Sequence, residues 1–268
     1  MKVLAVCPTY GRIPFLNRML ATFLSQTYDD KHLIIINDDK NVDIVCNYDN
    51  VTCININRKL LLDVKRNIGI SSGNYDIIMP WDDDDVFLPN RMENHVQKHI
   101  ENPNVWMYRN LSSYVIYGNE FNMTHTTPNA VSYLKSAWEK LGGYNNYETT
   151  GSGDGIFYDR MPNKLVEEDK SKIDHVYGFG NINYHISCMR DNENDVEKIA
   201  YDQLIEMDLF GKSYELNPDY EQYNNFLILD KLWRMRPNWQ EDNTPLVIKH
   251  KEYGKIDITE TILKCLTQ

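Results

Sequence analysis

Two kinds of apolar pattern alternate along the first hundred positions. Short, mainly apolar runs, Lys2 to Cys7, Leu33 to Ile36, Val51 to Ile56 and Tyr75 to Met79, read as strands, the first of them buried. Between and after them the apolar residues change to helical spacing. Leu16, Met19, Leu20, Phe23 and Leu24 form one stripe, Leu61 to Ser71 suits a helix stopped by Ser72-Gly73-Asn74, and Asn90 to Ile100 is again helical. The order β-α-β-α-β predicts an α/β fold with a mainly parallel, twisted sheet and helices on both faces.

Such sheets bind ligands beyond the carboxyl ends of their strands. Three polar clusters stand at those predicted ends: Pro8-Thr9-Tyr10-Gly11-Arg12, Asn37-Asp38-Asp39, and Asp82-Asp83-Asp84-Asp85 after Pro80-Trp81. The pattern is less regular beyond residue 100. Val105 to Tyr117 holds two short strands, and Ala137 to Gly143 is a helix with a Gly-Gly stop. Thr149 to Gly155 is a polar, glycine-rich loop leading into Ile156-Phe157-Tyr158. Glu193 to Phe210 and Tyr220 to Trp233 read as amphipathic helices, and the tail after Pro237 has no assigned element. No internal repeat or low-complexity linker separates independent domains.

Composition narrows the function classes. With 268 residues the chain can bury a substantial core, and its net charge of −11 and lack of a long Lys/Arg run disfavour a general nucleic-acid binder. The five cysteines include no CxxC pair, which points to reduced structural thiols and a cytoplasmic location. No segment reaches transmembrane length, and the apolar run at the start is a first strand rather than a signal peptide.

The four consecutive aspartates carry the chemistry. Carboxylates this close repel one another and are costly to enclose without a counter-charge. A solvated acidic turn is one reading, but apolar residues on both sides favour an enclosed cation site. Counting Asp82 as the first position of an EF-hand puts Glu93 at the twelfth, yet Phe87 stands where that loop needs glycine and no helix precedes it. Zinc-ligand spacing of Cys or His is lacking nearby. Mg²⁺ or Mn²⁺, held by one or two carboxylates and shared with a ligand's phosphates, suits the hard oxygen donors. No Walker A loop occurs, which argues against P-loop nucleotide hydrolysis.

Taken in order, these motifs resemble the GT-A-fold, nucleotide-sugar-dependent glycosyltransferases of the inverting family 2 type. The resemblance covers about residues 1–190. It is carried by the loop ending in Gly11-Arg12, by Ser25-Gln26-Thr27-Tyr28, and by the strand ending in Asp38-Asp39. Lys65-Arg66-Asn67-Ile68-Gly69, Asp82-Asp83-Asp84-Asp85, Gly142-Gly143-Tyr144, the acidic Asp154, and Tyr177 through Ser187 complete it. It implies a catalytic domain over 1–190, with a nucleotide-sugar half (1–100) and an acceptor half (101–190), and a mainly helical extension over 191–268.

The resemblance also implies roles. Thr9 and Tyr10, with Asp38 or Asp39, hold the nucleobase and ribose. Arg12 and Arg66 face the diphosphate. Asp82, with Asp83 beside it, contacts the donor, Asp84 ligates the metal, and Asp85 orients the site from behind. His185 is a further metal or phosphate contact. Asp154 is the general base, with Glu148 and Asp159 as rivals, or else caps the following helix. The donor implied is a UDP-sugar and the cofactor Mn²⁺ or Mg²⁺. The acceptor hydroxyl belongs to a glycan, a small molecule or, as in some viral enzymes, a hydroxymethylated base in DNA. Lys231, Trp233, Arg234, Arg236 and Trp239 form a basic-aromatic stretch able to meet DNA, although an ordinary helix end is the favoured reading. The alternatives to this enzyme are a nucleotidyltransferase and a non-catalytic nucleotide-sugar-binding module.

Overall fold

The structure is a computed structural model, and it describes residues 1–124, 130–145, 153–179, 193–250 and 255–266. The first half begins with β1 (Val3–Thr9), α1 (Ile13–Leu24), β2 (Lys31–Asn37), β3 (Val42–Val45), β4 (Val51–Asn55), α2 (Leu62–Ser71) and β5 (Ile77–Pro80). Then come β6 (Val86–Phe87), α3 (Arg91–Glu101), β7 (Met107–Asn110), β8 (Ser113–Tyr117), β9 (Glu120–Thr124) and β10 (Val131–Leu134). The chain continues through α4 (Lys135–Lys140), α5 (Gly153–Asp159), β11 (Lys164–Glu167) and β12 (His175–Phe179). The last elements are α6 (Glu193–Glu206), β13 (Lys212–Glu215), α7 (Tyr220–Arg234), β14 (Leu246–Val247), β15 (Lys249–His250), β16 (Ile256–Asp257) and α8 (Thr259–Leu266).

The expected α/β fold is present. A mixed seven-stranded sheet runs β11-β7-β10-β5-β1-β2-β4. Strands β5, β1, β2 and β4 are parallel neighbours, and β10 runs antiparallel to β5 and β7. Every residue of β1 is buried, because helices cover both faces of the sheet. Successive side chains serve opposite cores. Val3, Ala5 and Cys7 pack with Leu16, Leu20 and Phe23 of α1, while Leu4 and Val6 pack with Ile34, Ile36 and Ile70 on the α2 side. Each fully buried aliphatic side chain contributes about 1.5–3 kcal/mol relative to exposure.

A second sheet, β14-β9-β8-β12-β6, packs against α7 through Tyr114, Phe121, Tyr223, Phe226 and Trp233. The residues after 190 supply α6, α7, α8 and short strands that return to the first half. Strand β13 pairs in parallel with β3, β14 pairs with β9, and Asn17 of α1 bonds Tyr214 and the backbone of Asn217.

The expectation of reduced thiols does not hold for one pair. A turn closed by the Val51 N–H donating to the Tyr48 carbonyl folds β4 back beside β3, and this brings Cys46 and Cys53 together in a disulfide with Cα atoms 6.3 Å apart. Cys7 and Cys265 are free, and Cys188 lies outside the described residues. No helix among the described residues is long and apolar enough to cross a membrane.

Candidate active site

The parallel register fixes the floor of the site. Thr9 pairs with Asn37, and Asn37 with Asn55, so the ends of β1, β2 and β4 stand level, with Pro80 of β5 beside Val6. Asn37 ties these ends together. Its Nδ2 donates to Asn55 Oδ1 at 3.0 Å and to the Val42 carbonyl at 2.8 Å, and its Oδ1 accepts from the Gly11 N–H at 3.0 Å. Tyr10 stands half-buried between Thr9 and this turn.

The two aspartates after β2 differ. Both oxygens of Asp38 are engaged inside the protein: Oδ1 accepts from Lys65 Nζ at 2.8 Å and Oδ2 from the Leu60 N–H at 2.8 Å. Asp39 turns Oδ1 to the backbone and side chain of Asn41, at 2.8 and 2.7 Å. Its Oδ2 is buried with no hydrogen-bond partner among the described residues. Burial raises the Asp39 carboxyl above the ordinary carboxylate range, against the hydrogen bonds from Asn41. Gly11, at φ +63°, lets the backbone pass over Oδ2, where a Cβ would lie 2.5 Å away. An acceptor without a hydrogen-bond partner among the described residues thus lies buried at the sheet edge, under a stretch of backbone that only glycine fits.

The acid loop splits by orientation. Asp83 and Asp85 point inward, each with side chains 1% exposed, whereas Asp82 and Asp84 keep 22% and 10% exposure toward the cleft. Asp83 accepts from Thr9 Oγ1 at 2.7 Å and from Arg12 Nε at 3.0 Å, with a second Arg12 contact through Nη2. Burial alone would weaken the Arg12 charge, but Asp83 and then Asp84 outweigh it and raise its pKa. Arg12 also lies 3.3 Å from Asp84 Oδ2, and Asp85 Oδ2 is 2.9 Å from His175 Nε2. The repulsion among the four carboxylates is therefore offset largely from within the chain. A metal is not needed to hold the loop together, contrary to what the bare run of aspartates implies. Arg12, expected to face a diphosphate, is here the partner of Asp83 and Asp84.

Arg66 links the loop to the other side of the cleft. Its side chain is 3% exposed, and its Nη2 is 3.5 Å from Asp82 Oδ1 and 3.7 Å from Asp154 Oδ2. The guanidinium lies over the Tyr144 ring at 5.5 Å, and none of its nitrogens has a hydrogen-bond partner among the described residues. Burial pushes the Asp82 carboxyl up to about 7; Arg66 opposes the rise, and Asp85, Asp84 and Asp154 add to it.

The segment Lys65-Arg66-Asn67-Ile68-Gly69 divides its duties in one turn of α2. Lys65 holds Asp38 and Arg66 enters the cleft. Asn67 Oδ1 accepts from the Tyr144 N–H at 3.0 Å and from Trp138 Nε1 at 3.1 Å, fixing the Gly142-Gly143 turn. At Gly69 a Cβ would come within 2.8 Å of Val6 and Ile36, so glycine lets α2 lie close on the sheet.

Asp154 sits in the first turn of α5 rather than ahead of it. Of its rivals, Asp159 is at the far end of α5, 89% exposed and facing Lys164. Glu148 and His185 lie outside the described residues.

Among the described residues no group of three or more acidic, His or Cys side chains forms a ready metal cage. Asp82 and Asp84 instead present two hard oxygen donors on one cleft wall. That set fits Mg²⁺ or Mn²⁺ shared with a ligand's phosphates, since these ions are commonly held by one or two carboxylates and keep several other ligands.

Residues 5–161, more than half of the chain, match the family described as Glycosyl transferase family 2. The chain belongs to glycosyl transferase family 2. The uncharacterized glycosyltransferase YwdF of Bacillus subtilis (strain 168) is 34% identical over 105 residues, 38% of this chain and 39% of YwdF. The chain thus spans about two fifths of that curated relative. Two solved structures share the fold. TarS 1–349 of S. aureus in complex with UDP has a TM-score of 0.53 and 13% identity over 66% of this chain and 60% of that one. The mannosyltransferase PcManGT of Pyrobaculum calidifontis, in complex with GDP-Man and Mn²⁺, has a TM-score of 0.53 and 12% identity over 76% and 64%.

Within this family 2 chain the basic-aromatic stretch belongs to a helix end. Arg234 pairs with Asp230 at 2.6 Å and donates to the carbonyls of Ser171 and Ile173, Arg236 reaches Asp242 and the Thr244 carbonyl, and Trp233 is fully buried. Lys65, Arg18 and His175 are site residues to which the sequence alone assigned no role. Lys65 carried a signal, standing beside Arg66 in a quoted motif; His175 carried none, being ninety positions from the carboxylate it meets.

Proposed function

We propose that this chain transfers a sugar from a nucleoside diphosphate sugar, a UDP-sugar, to an acceptor hydroxyl in one inverting displacement. The observation that carries the reading is the cleft itself. It holds Asp39 at the sheet edge, the outward carboxylates Asp82 and Asp84, and Arg66 between Asp82 and Asp154. Asp39 stands at the nucleobase end, with Thr9 and Tyr10 beside it. Asp84, with Asp82, would hold Mn²⁺ or Mg²⁺ against the donor diphosphate, where a bound ion supplies Lewis-acid stabilisation of the leaving oxygen. Asp154 accepts the acceptor's hydroxyl proton as that oxygen attacks the anomeric carbon. The bond from that carbon to the diphosphate oxygen breaks, and its electron pair leaves with the nucleoside diphosphate. UDP bound to TarS, and GDP-Man with Mn²⁺ bound to PcManGT, support the donor class and the metal.

A thermal-shift panel of nucleotides and nucleotide-sugars, with and without Mn²⁺, tests the reading, because a ligand bound to the native state raises Tm. A UDP-sugar should stabilise the wild type more with Mn²⁺, and Asp84→Ala should abolish the metal-dependent part. Equal responses from both proteins, or no response to any nucleotide, would sink it.

A further inference from the structure

We propose that His175 is the positioning residue of the metal loop: through Asp85 it fixes the backbone that presents Asp84 to the diphosphate-bound cation. The inference rests on the metal reading above and names the device that makes the loop rigid.

The loop 82–85 runs from the end of β5 into the two-residue strand β6, so its own secondary structure gives little rigidity. Besides Thr9 and Arg12, which hold Asp83 and Asp84, three further contacts supply it. Arg18 of α1 donates from Nη2 to the Asp84 carbonyl at 2.8 Å. Strand β12 pairs antiparallel with β6, matching His175 to Phe87 and Val176 to Val86, and the Leu88 N–H donates to the Asp174 carbonyl at 2.9 Å. The third is the side chain of His175, whose Nε2 lies 2.9 Å from Asp85 Oδ2 with both groups closed to solvent.

The imidazole is itself held. It stacks on Phe87 with centroids 5.1 Å apart and planes 15° apart, and Phe87 packs on Trp81 at 4.1 Å. Trp81 and Phe87 flank the four aspartates on either side, so the ring that grips Asp85 is stacked onto the residues bracketing the loop. Arg91 lies over both rings, at 5.9 and 4.7 Å, and pairs with Asp174 at 3.0 Å. Two consecutive residues, Asp174 just before β12 and His175 at its start, thus anchor in different directions: Asp174 to α3, and His175 to the acid loop.

Asp84 and Asp85 share a peptide unit. With the Asp84 carbonyl bound by Arg18 and the Asp85 side chain held against His175, the backbone on both sides of this peptide is restrained, while Arg12 at 3.3 Å meets the Asp84 carboxylate itself. Contacts behind the metal-binding groups that orient them are typically worth about 10–100-fold in metal affinity or activity.

Mn²⁺ binding, followed by calorimetry or by the EPR signal of free Mn²⁺ in the presence of UDP, tests the assignment without turnover. His175→Phe keeps the stack on Phe87 and removes the polar nitrogen that meets Asp85; it should weaken Mn²⁺ binding by about 10-fold or more and leave UDP binding without metal unchanged. His175→Gln restores a polar nitrogen and should recover most of the affinity. The pair Asp85→Leu with His175→Phe removes both partners at similar volume, so it keeps the fold even if the single variant does not. It should bind Mn²⁺ as weakly as His175→Phe. Wild-type Mn²⁺ affinity in His175→Phe or in the double variant overturns the proposal, as does a His175→Gln no better than Phe. A wild-type protein that binds UDP but no Mn²⁺ overturns the metal reading and this proposal together, and that failure is visible before any variant is made.

Discussion

Acidification should withdraw stability at His99, and the amount follows from its surroundings. His99 lies on α3, 3% exposed, with Nε2 3.0 Å from Ser132 Oγ. The same hydroxyl is 2.8 Å from His95 Nδ1, and His95 Nε2 lies 3.3 Å from Asp174. Burial is the main cause that lowers the His99 pKa from 6.5 to about 4, and His95 adds to the depression. Above pH 6.5 both the folded and the unfolded chain hold this ring neutral, and it contributes nothing to pH dependence. Below 6.5 the unfolded chain takes up a proton that the folded chain refuses until about pH 4. Stability therefore falls through that window by about 1.4 kcal/mol per pH unit, or about 3 kcal/mol in all. Other groups titrate there too, so the useful quantity is a difference. His99→Gln keeps an amide near Ser132 and removes the titration. Urea unfolding of both proteins, followed by tryptophan fluorescence at pH 7, 6, 5 and 4.5, gives the two stability profiles. The wild type should lose about 2–3 kcal/mol more than the variant by pH 4.5. Parallel profiles would refute the reasoning, because they would mean that the folded protein protonates His99 as readily as the unfolded chain.

Three further outcomes follow from the cleft. Gly11→Ala puts a methyl group against Asp39 Oδ2 at positive φ; it should cost about 1–2 kcal/mol in a melting experiment and weaken UDP binding, and unchanged UDP affinity would remove Asp39 from the base pocket. Asp83→Asn leaves the buried Arg12 short of its main counter-charge and should lower stability by about 3–5 kcal/mol in urea; a loss below about 1 kcal/mol would show that Asp84 suffices. Asp154→Asn should reduce turnover by about 10²–10⁴-fold with nucleotide affinity nearly unchanged, and near-normal turnover would move the base elsewhere.

The parallel half of the sheet was legible because its strands are mainly apolar runs followed closely by Gly, Asn or Asp. Helix α2 starts within a residue of its expected position for the same reason. Strands β9 to β12 were not legible. They are short, and β12 exists by pairing with β6 and β8, far from it in sequence. The site shows the same division. Polar clusters at strand ends announced where the cleft lies. Which of four adjacent aspartates faces inward depends on Thr9, Arg12 and His175, and no local pattern in the acid run encodes them. Asp38 and Asp39 were interchangeable in the sequence and are not in the structure, because Lys65 and the Leu60 N–H engage one of them. The disulfide escaped because cysteine spacing says nothing about the turn that folds β4 onto β3.

The return of the C-terminal residues onto α1 and β3 has a consequence for how the molecule is made. The early β-α-β units can form from neighbours in sequence soon after synthesis. The outer side of α1 and the edge strand β3 cannot be completed until residues about 170 to 200 positions later arrive, since Asn17 meets Tyr214 and Asn217 and β3 meets β13. Until then a growing chain carries an apolar helix face and an open strand edge. Such surfaces favour association with other chains, and long-range closures of this kind slow folding. The last third of the sequence closes over α1 and β3 as a latch.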